Sequence, residues 1–412
     1  MQQRMGFSGA AVAELALQWE KERHHTDHDD DARNELPSAV FLKHIVMAEP
    51  GADMEPDAAA KVWRNIQSYR NEFIVISSLY PLMDASTPPI AHPTVFYRHA
   101  EQTAAGSSSS NSSSSSTHTF TVMSESMLHS GWTQTAVLTA AQTEASIAWM
   151  ARFHALSFGK SATLVVGLWD KGTHLALDKR PDSELGKLPS IWRAFVSAFR
   201  EEHPVFAADP ATLAEAGTAL AALAPAVAVY LDPLTAANEN NRTCIVHGDF
   251  KSANLFVREA GSTADSTDGG GVSAIDYQWT GPGIAATDLV YLCAMAIPAP
   301  SEAHLDELLH SYWTHFTEAC LETCSNSAAP AASDYDYERF LLDFKVATLD
   351  FTRWAFCARL ADDSPAKFAA RREKMDINLG AWRRDVDVIA WLTEHTHAYL
   401  RDEAVLAALA AL

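Results

Sequence analysis

The run Ile245-Val246-His247-Gly248-Asp249-Phe250-Lys251-Ser252-Ala253-Asn254-Leu255-Phe256-Val257 decides how the rest of the chain is read. An apolar strand delivers an Asp, a Lys follows two residues later and an Asn five residues later, and a second apolar strand leaves the site. Twenty-two residues beyond Asn254 a second carboxylate, Asp276, ends another short apolar run, Val272 to Ile275. Phosphoryl transfer needs that set of residue types. One Asp accepts or orients the proton of an attacking hydroxyl, while an amide oxygen and a carboxylate hold Mg²⁺ against the phosphates. On this reading Asp249 is the base, Asn254 and Asp276 are the metal ligands, and Lys251 places its ammonium near the transferring group.

Length and composition set the bounds. A chain of 412 residues suits two to three domain-sized units with ample material for buried cores. Apolar residues at 48% and charged residues at 20% are ordinary globular composition. The sequence has no run of about 18 apolar residues, and its Met1 end lacks a basic region followed by an apolar core, so a cytoplasmic protein with no membrane partner is expected. Five cysteines, Cys244, Cys293, Cys320, Cys324 and Cys357, are an odd number without zinc spacing and read as reduced, mostly buried thiols. The formal charge of −21 argues against a nucleic-acid surface, which needs clustered Lys and Arg. It favours a cationic or neutral partner over a polyanion, and its plainest meaning is solubility.

Working outward, a smaller strand-rich part precedes a larger helical one. Ala10 to Trp19, Ala39 to Met47, Pro93 to Arg98 and Phe120 to Met123 read as strands. Between the second and third lies one strong helix, Ala58 to Leu79, with Val62, Ile66, Tyr69, Phe73 and Ile76 at helical spacing and Pro81 as its stop. Later helices are expected over Gln142 to Phe158, Ile191 to Phe199, Ala211 to Leu231, Glu302 to Cys324, Tyr337 to Leu360 and Leu379 to Leu400. Three segments look inserted: the charged His24 to Asp31, the Ser-rich Gly106 to Thr117, and Gly261 to Gly271, which caps a hairpin between Val257 and Val272. None is expected to carry chemistry, although the His/Asp run has the composition of a metal site.

His247-Gly248-Asp249 followed by Asn254, then Ile275-Asp276-Tyr277-Gln278-Trp279, resembles the choline kinase and aminoglycoside phosphotransferase superfamily, and within it the CHK kinase-like, ecdysteroid kinase-like group. The resemblance covers roughly Gly6 to Leu400. It implies an α+β, protein-kinase-like bilobal fold, with a nucleotide-binding lobe over residues 1–126 that includes a disordered Ser-rich loop near 104–117. A helical catalytic and substrate-binding lobe would follow over 127–412. It also implies an enzyme that uses ATP and Mg²⁺ to phosphorylate a hydroxyl of a small-molecule alcohol.

Carried over residue by residue, Asp249 matches the catalytic base, and Asn254 and Asp276 the magnesium ligands. Lys43 matches the third-strand lysine that pairs the α- and β-phosphates, and Glu72 the helix carboxylate that orients it. Gly6, Ser8 and Gly9 stand where the family carries its phosphate-covering turn, with a first strand that must be short or absent. Ser124-Glu125-Ser126-Met127 looks like the hinge that meets the adenine edge, making Glu125 and Met127 cofactor-side residues. Trp149 to Ala155 resembles the family helix ending in Phe-His-Ala, where His154 reads as a buried scaffold residue. Asp288 can cap its own helix and, in the family, braces the catalytic loop, which His247 also orients.

The acceptor is less legible. Asp350-Phe351-Thr352-Arg353-Trp354 sets a carboxylate beside aromatics that could hold an ammonium group, and an ion pair between Asp350 and Arg353 is the plainer alternative. Two other classes stay open: a catalytically weak nucleotide-binding or scaffold protein, and a protein kinase, which Lys251 favours. Against the latter, Asp276 is followed by Tyr277-Gln278 in place of Phe-Gly, and no Ala-Pro-Glu follows to hold a peptide.

Overall fold

The computed structural model describes residues 2–5, 11–16, 39–103, 116–235, 242–259, 271–324 and 335–412. Its first part is a five-stranded antiparallel sheet in the order β1-β2-β3-β5-β4. The strands are β1 (Gln2–Met5), β2 (Ala11–Ala16), β3 (Ala39–Ala48), β4 (Val95–Thr103) and β5 (Thr117–Glu125). A first strand therefore exists, and it is short. Helix α1 (Pro56–Ile74) starts with Pro at its first turn, where the missing N–H costs nothing, and with Asp57 near its positive end. Its apolar stripe drops Ile66 and Tyr69 onto Ile45 and Phe120 of the sheet. Each such side chain contributes about 1.5–3 kcal/mol of burial.

Pro81 does not end this helical run. After Ile74 the backbone widens into a π-type turn, Val75–Leu79, and a new helical turn, Tyr80–Asp84, begins with Pro81 in its first positions. That location spares the hydrogen bond a mid-helix proline would break, so the chain continues where a stop was expected.

The second part is mainly helical. Long helices span Ala140–Ala155, Leu188–Ala198, Pro210–Leu231, Glu302–Cys324, Tyr337–Arg359 and Val386–Tyr399. A capping box formed by Thr139 and Gln142 opens the first, and Asp209 and Asp336 cap two others. The expected helix from Leu379 begins later, because a short 3₁₀ turn, Ala381–Arg383, precedes it. Two further helices, Pro365–Lys374 and Glu403–Ala410, escaped the periodicity reading because they are short, although their caps Ser364 and Asp402 are ordinary signals. By length and composition Ala211–Leu231 could cross a membrane. It packs against the helices Leu188–Ala198 and Tyr337–Arg359 and carries Glu215 and Pro225.

Two short ladders sit within this helical part: β6 (Thr243–Val246) with β9 (Gly281–Ile284), and β7 (Leu255–Arg258) with β8 (Gly271–Ala274). The second is the expected hairpin, with Val257 opposite Val272. The first was hidden, because Gly281-Pro282-Gly283 reads as a turn and acquires its strand form only from the partner. His24 to Asp31, the Ser-rich tract up to residue 115, and most of the Gly261 to Gly271 loop lie outside the described residues.

Candidate active site

Strand β6 is wholly buried and delivers the chain to His247. Gly248 then takes φ +80°, and a Cβ there would lie 2.3 Å from the Trp279 carbonyl oxygen and 2.6 Å from the Thr173 amide nitrogen, so only glycine fits. Asp288 accepts hydrogen bonds from the amides of His247 (2.6 Å) and Gly248 (2.9 Å) and from His154 Nε2 (3.1 Å). Its carboxylate therefore braces the loop and does not cap its own helix. His154, fully buried, completes the scaffold through Nδ1 and the Tyr312 hydroxyl at 2.8 Å.

His247 holds the next turn. Its Nε2 donates to the Ile275 carbonyl at 3.0 Å and its Nδ1 accepts from the Asp249 amide at 3.3 Å. Burial pushes its pKa down, which matches an imidazole with one donor and one acceptor nitrogen.

Asp249 and Lys251 meet at 2.6 Å between Oδ2 and Nζ. Burial is the largest influence and would raise the Asp249 carboxyl, but Lys251, His174 and the Tyr291 phenol together hold it below its usual range. Asn254 Nδ2 donates to the Asp249 backbone oxygen at 2.8 Å and to Oδ2 at 3.0 Å. Both bonds use the nitrogen, so the amide oxygen is the end left for a cation. Asp249 Oδ1 is buried without a hydrogen-bond partner.

Asp276 is joined to this loop through backbone, since the Ile275 amide donates to the Asn254 carbonyl at 2.9 Å. It adopts φ +65°, a conformation that costs a non-glycine residue about 1–3 kcal/mol and that Asp and Asn tolerate best. Lys43 Nζ lies 2.6 Å from Glu72 Oε2 and 3.9 Å from Asp276 Oδ1, so the sheet, helix α1 and the second catalytic segment converge. Burial opposes the Lys43 charge, yet Glu72 and Asp276 hold its pKa above the ordinary lysine value. Asp276 Oδ1 is buried with no hydrogen bond. An orphaned carboxylate oxygen and a free amide oxygen are the hard-oxygen ligand types that Mg²⁺ prefers, and two protein ligands leave room for phosphate and water. Among the described residues no cluster of three or more His, Cys, Asp or Glu forms a metal cage of its own.

Sequence reasoning missed Asn71. This buried residue, next to Glu72, donates from Nδ2 to the carbonyls of Tyr277 and Thr280, both at 2.9 Å, and accepts from the Trp169 amide at 2.9 Å. It fastens α1 to the segment after Asp276. The only signal was a polar residue on the apolar face of an amphipathic helix. His174, whose ring meets Trp279, Tyr291 and Trp354, was also missed.

Glu125 ends β5, pairing backbone with Thr94, and Met127 is buried with its carbonyl taken by the Trp132 amide at 3.0 Å. Both lie where the sheet hands the chain to the helical part. Gly6, Ser8 and Gly9 lie outside the described residues. Asp350 resolves to its plainer alternative: Arg353 donates to its Oδ1 from both Nε (2.9 Å) and Nη2 (2.7 Å). A cleft of about 350 Å³ borders Thr173 and Asp350 but includes none of Lys43, Asp249, Asn254 or Asp276.

A mixed α/β chain with a small antiparallel sheet, a mostly helical second part and this catalytic segment is a kinase-like protein. The profile of the ecdysteroid kinase-like family matches residues 53–325, and the chain belongs to that family. The match takes in Glu72 and the whole Asp249 to Asp276 segment but begins after Lys43. The solved structure of the microcompartment-associated aminopropanol kinase is similar at 14% identity, covering 82% of this chain and 90% of that one with a TM-score of 0.34. No curated protein matches the chain.

Proposed function

We propose that this protein is an ATP-dependent kinase that phosphorylates a hydroxyl of a small-molecule alcohol. The observation that carries the reading is the convergence of Lys43 on both Glu72 (2.6 Å) and Asp276 (3.9 Å), alongside the Asp249–Lys251 pair (2.6 Å). Asp249 takes the proton of the attacking hydroxyl. The new bond joins the acceptor oxygen to the γ-phosphorus, and the bond from that phosphorus to the β–γ bridging oxygen breaks, leaving ADP. Asn254 and Asp276 would hold Mg²⁺, which supplies charge neutralisation on the phosphates. Lys43, oriented by Glu72, would meet the α- and β-phosphates, and Lys251 the transferring group. Glu125 and Met127 would border the adenine, and Gly6 to Gly9 would cover the phosphates. The same proposal places the protein in the cytoplasm, without nucleic-acid or membrane partners.

Mg²⁺-dependent stabilisation by ATP, read as a thermal shift, tests the nucleotide half. A screen of small alcohols against wild type and Asp249→Asn tests the transfer. If neither ATP nor Mg²⁺ shifts the wild-type transition, the kinase reading fails in favour of a scaffold. Labelling of generic peptides with no alcohol used would favour a protein kinase.

A further inference from the structure

Arg152 lies in the last turn of the helix Ala140–Ala155, where its charge suits the negative end of the helix. That role uses no hydrogen bond. Its Nη2 is buried without a partner, and among the described residues no carboxylate forms an ion pair with the guanidinium. Glu322 acts on it only through space, and burial pushes its pKa below the ordinary arginine value. A buried donor left unmade costs about 1–3 kcal/mol, and more when it carries charge, so the arrangement calls for an acceptor.

Arg152 lines a cleft of about 240 Å³ that none of Lys43, Asp249, Asn254 or Asp276 borders. That volume far exceeds the ~30 Å³ one water occupies in the liquid, so the cleft has room for a molecule and not just an ion. One wall is the connection from the Tyr80–Asp84 turn towards β4, with Leu82 and Ile90. The facing wall comes from the helical part, with Leu156 and Leu164. The Ser86 and Thr323 hydroxyls, also in the lining, already donate to the carbonyls of Met83 (2.7 Å) and Ala319 (2.8 Å). The strongest donors in the lining are therefore cationic, Arg152 with Lys160, against one acid, Glu322.

We propose that this cleft is a second small-molecule site, separate from the catalytic loop, that takes an organic carboxylate on Arg152 with its apolar chain against Leu82, Ile90, Leu156 and Leu164. A guanidinium fork matches the two oxygens of a carboxylate. The charged side chains of the lining sum to one positive unit, which suits a monoanion better than a phosphate ester carrying up to about two negative charges.

Isothermal titration calorimetry on the full chain without nucleotide tests this, with hexanoate, hexanamide and hexyl phosphate as probes. Hexanoate should bind at least about tenfold more tightly than hexanamide, its uncharged isostere, and at least as tightly as hexyl phosphate. Arg152→Gln should bring hexanoate and hexanamide to within about twofold of each other, while Arg152→Lys should keep part of the preference. Glu322→Gln removes the one acid and should tighten hexanoate at least about twofold. Asp276→Asn should bind hexanoate as wild type does, which places the probe outside the proposed catalytic site. Because Arg152 holds no protein partner by a hydrogen bond, its variants should melt close to wild type, and melting temperatures separate lost binding from lost fold. Equal binding of hexanoate and hexanamide, no binding of any probe, a preference that survives Arg152→Gln, or tighter binding of hexyl phosphate overturns the proposal. The titrations need no nucleotide, so they stand or fall apart from the kinase reading.

Discussion

Lys251 Nζ lies 2.6 Å from Asp249 Oδ2, on the same carboxylate oxygen that Asn254 Nδ2 reaches at 3.0 Å. The proposed base is thus tied to a cation and to a proposed metal ligand through one oxygen, leaving Oδ1 as the atom open to an incoming hydroxyl. Asp249→Asn should lower phosphotransfer by about 10²–10⁴-fold, the usual worth of a positioned acid–base group. Lys251→Met should lower it less. The double variant should be little worse than Asp249→Asn alone, because the two act as a unit. ADP release with the best acceptor from the alcohol screen measures all three, and strictly additive losses would contradict the shared role.

Asp276 holds φ +65°, which asparagine tolerates about as well as aspartate. Asp276→Asn therefore changes charge with little change in backbone cost. The variant should melt close to wild type without ligand and lose the Mg²⁺-dependent part of the ATP shift, and chelation of Mg²⁺ should do the same to wild type. A full shift in the variant would remove Asp276 from the metal site.

Lys43 and Glu72 are both mostly buried, with side chains about one-seventh exposed. Removing one partner of such a pair leaves an uncompensated charge, at a cost of about 3–5 kcal/mol. Lys43→Met should lower the unfolding free energy accordingly, while Lys43→Met with Glu72→Met should recover most of the loss without recovering nucleotide binding. Urea unfolding and the ATP shift read the two effects separately.

The loop backbone depends on Gly248 and Asp288. Asp288→Ala would orphan the amides of His247 and Gly248 together with His154 Nε2, for a loss of about 3 kcal/mol or more at roughly 1–3 kcal/mol per buried donor. Gly248→Ala would force a Cβ to within 2.3 Å of the Trp279 oxygen at a positive φ. It should abolish transfer and lower the melting temperature. Gly51→Ala meets nothing within 4 Å and should do neither. Denaturant midpoints for the three variants decide the matter, and a Gly248→Ala protein as stable as Gly51→Ala would refute the account of the turn.

Much of this was legible in the chain itself. Residue type and short spacing placed Asp249, Lys251 and Asn254 on one loop, because a strand–turn–strand unit brings neighbours in sequence together in space. The pairing of Lys43 with Glu72 was expected from resemblance, and the structure brings them to 2.6 Å. The sequence alone also determined the sheet-forming alternation of β3 and β5, the amphipathic face of α1, and most helix limits, since these follow from period and caps.

What only the tertiary structure decided depends on contacts between distant segments. Helix α1 runs into a π-type turn and on past Pro81 because the proline lands in a new first turn, a register no local rule specifies. Strand β9 exists because β6 pairs with it, overriding its Gly-Pro-Gly turn chemistry. Asn71 bonds to carbonyls more than two hundred residues away, and Thr173 packs on Gly248 from a distant segment. Asp350 turned to Arg353 and not to an open pocket. Hydrophobic period and turn residues act over a few positions, whereas a hydrogen bond across the fold depends on where every intervening element has packed. The sequence therefore named the proposed catalytic groups, and the packing decided what surrounds them.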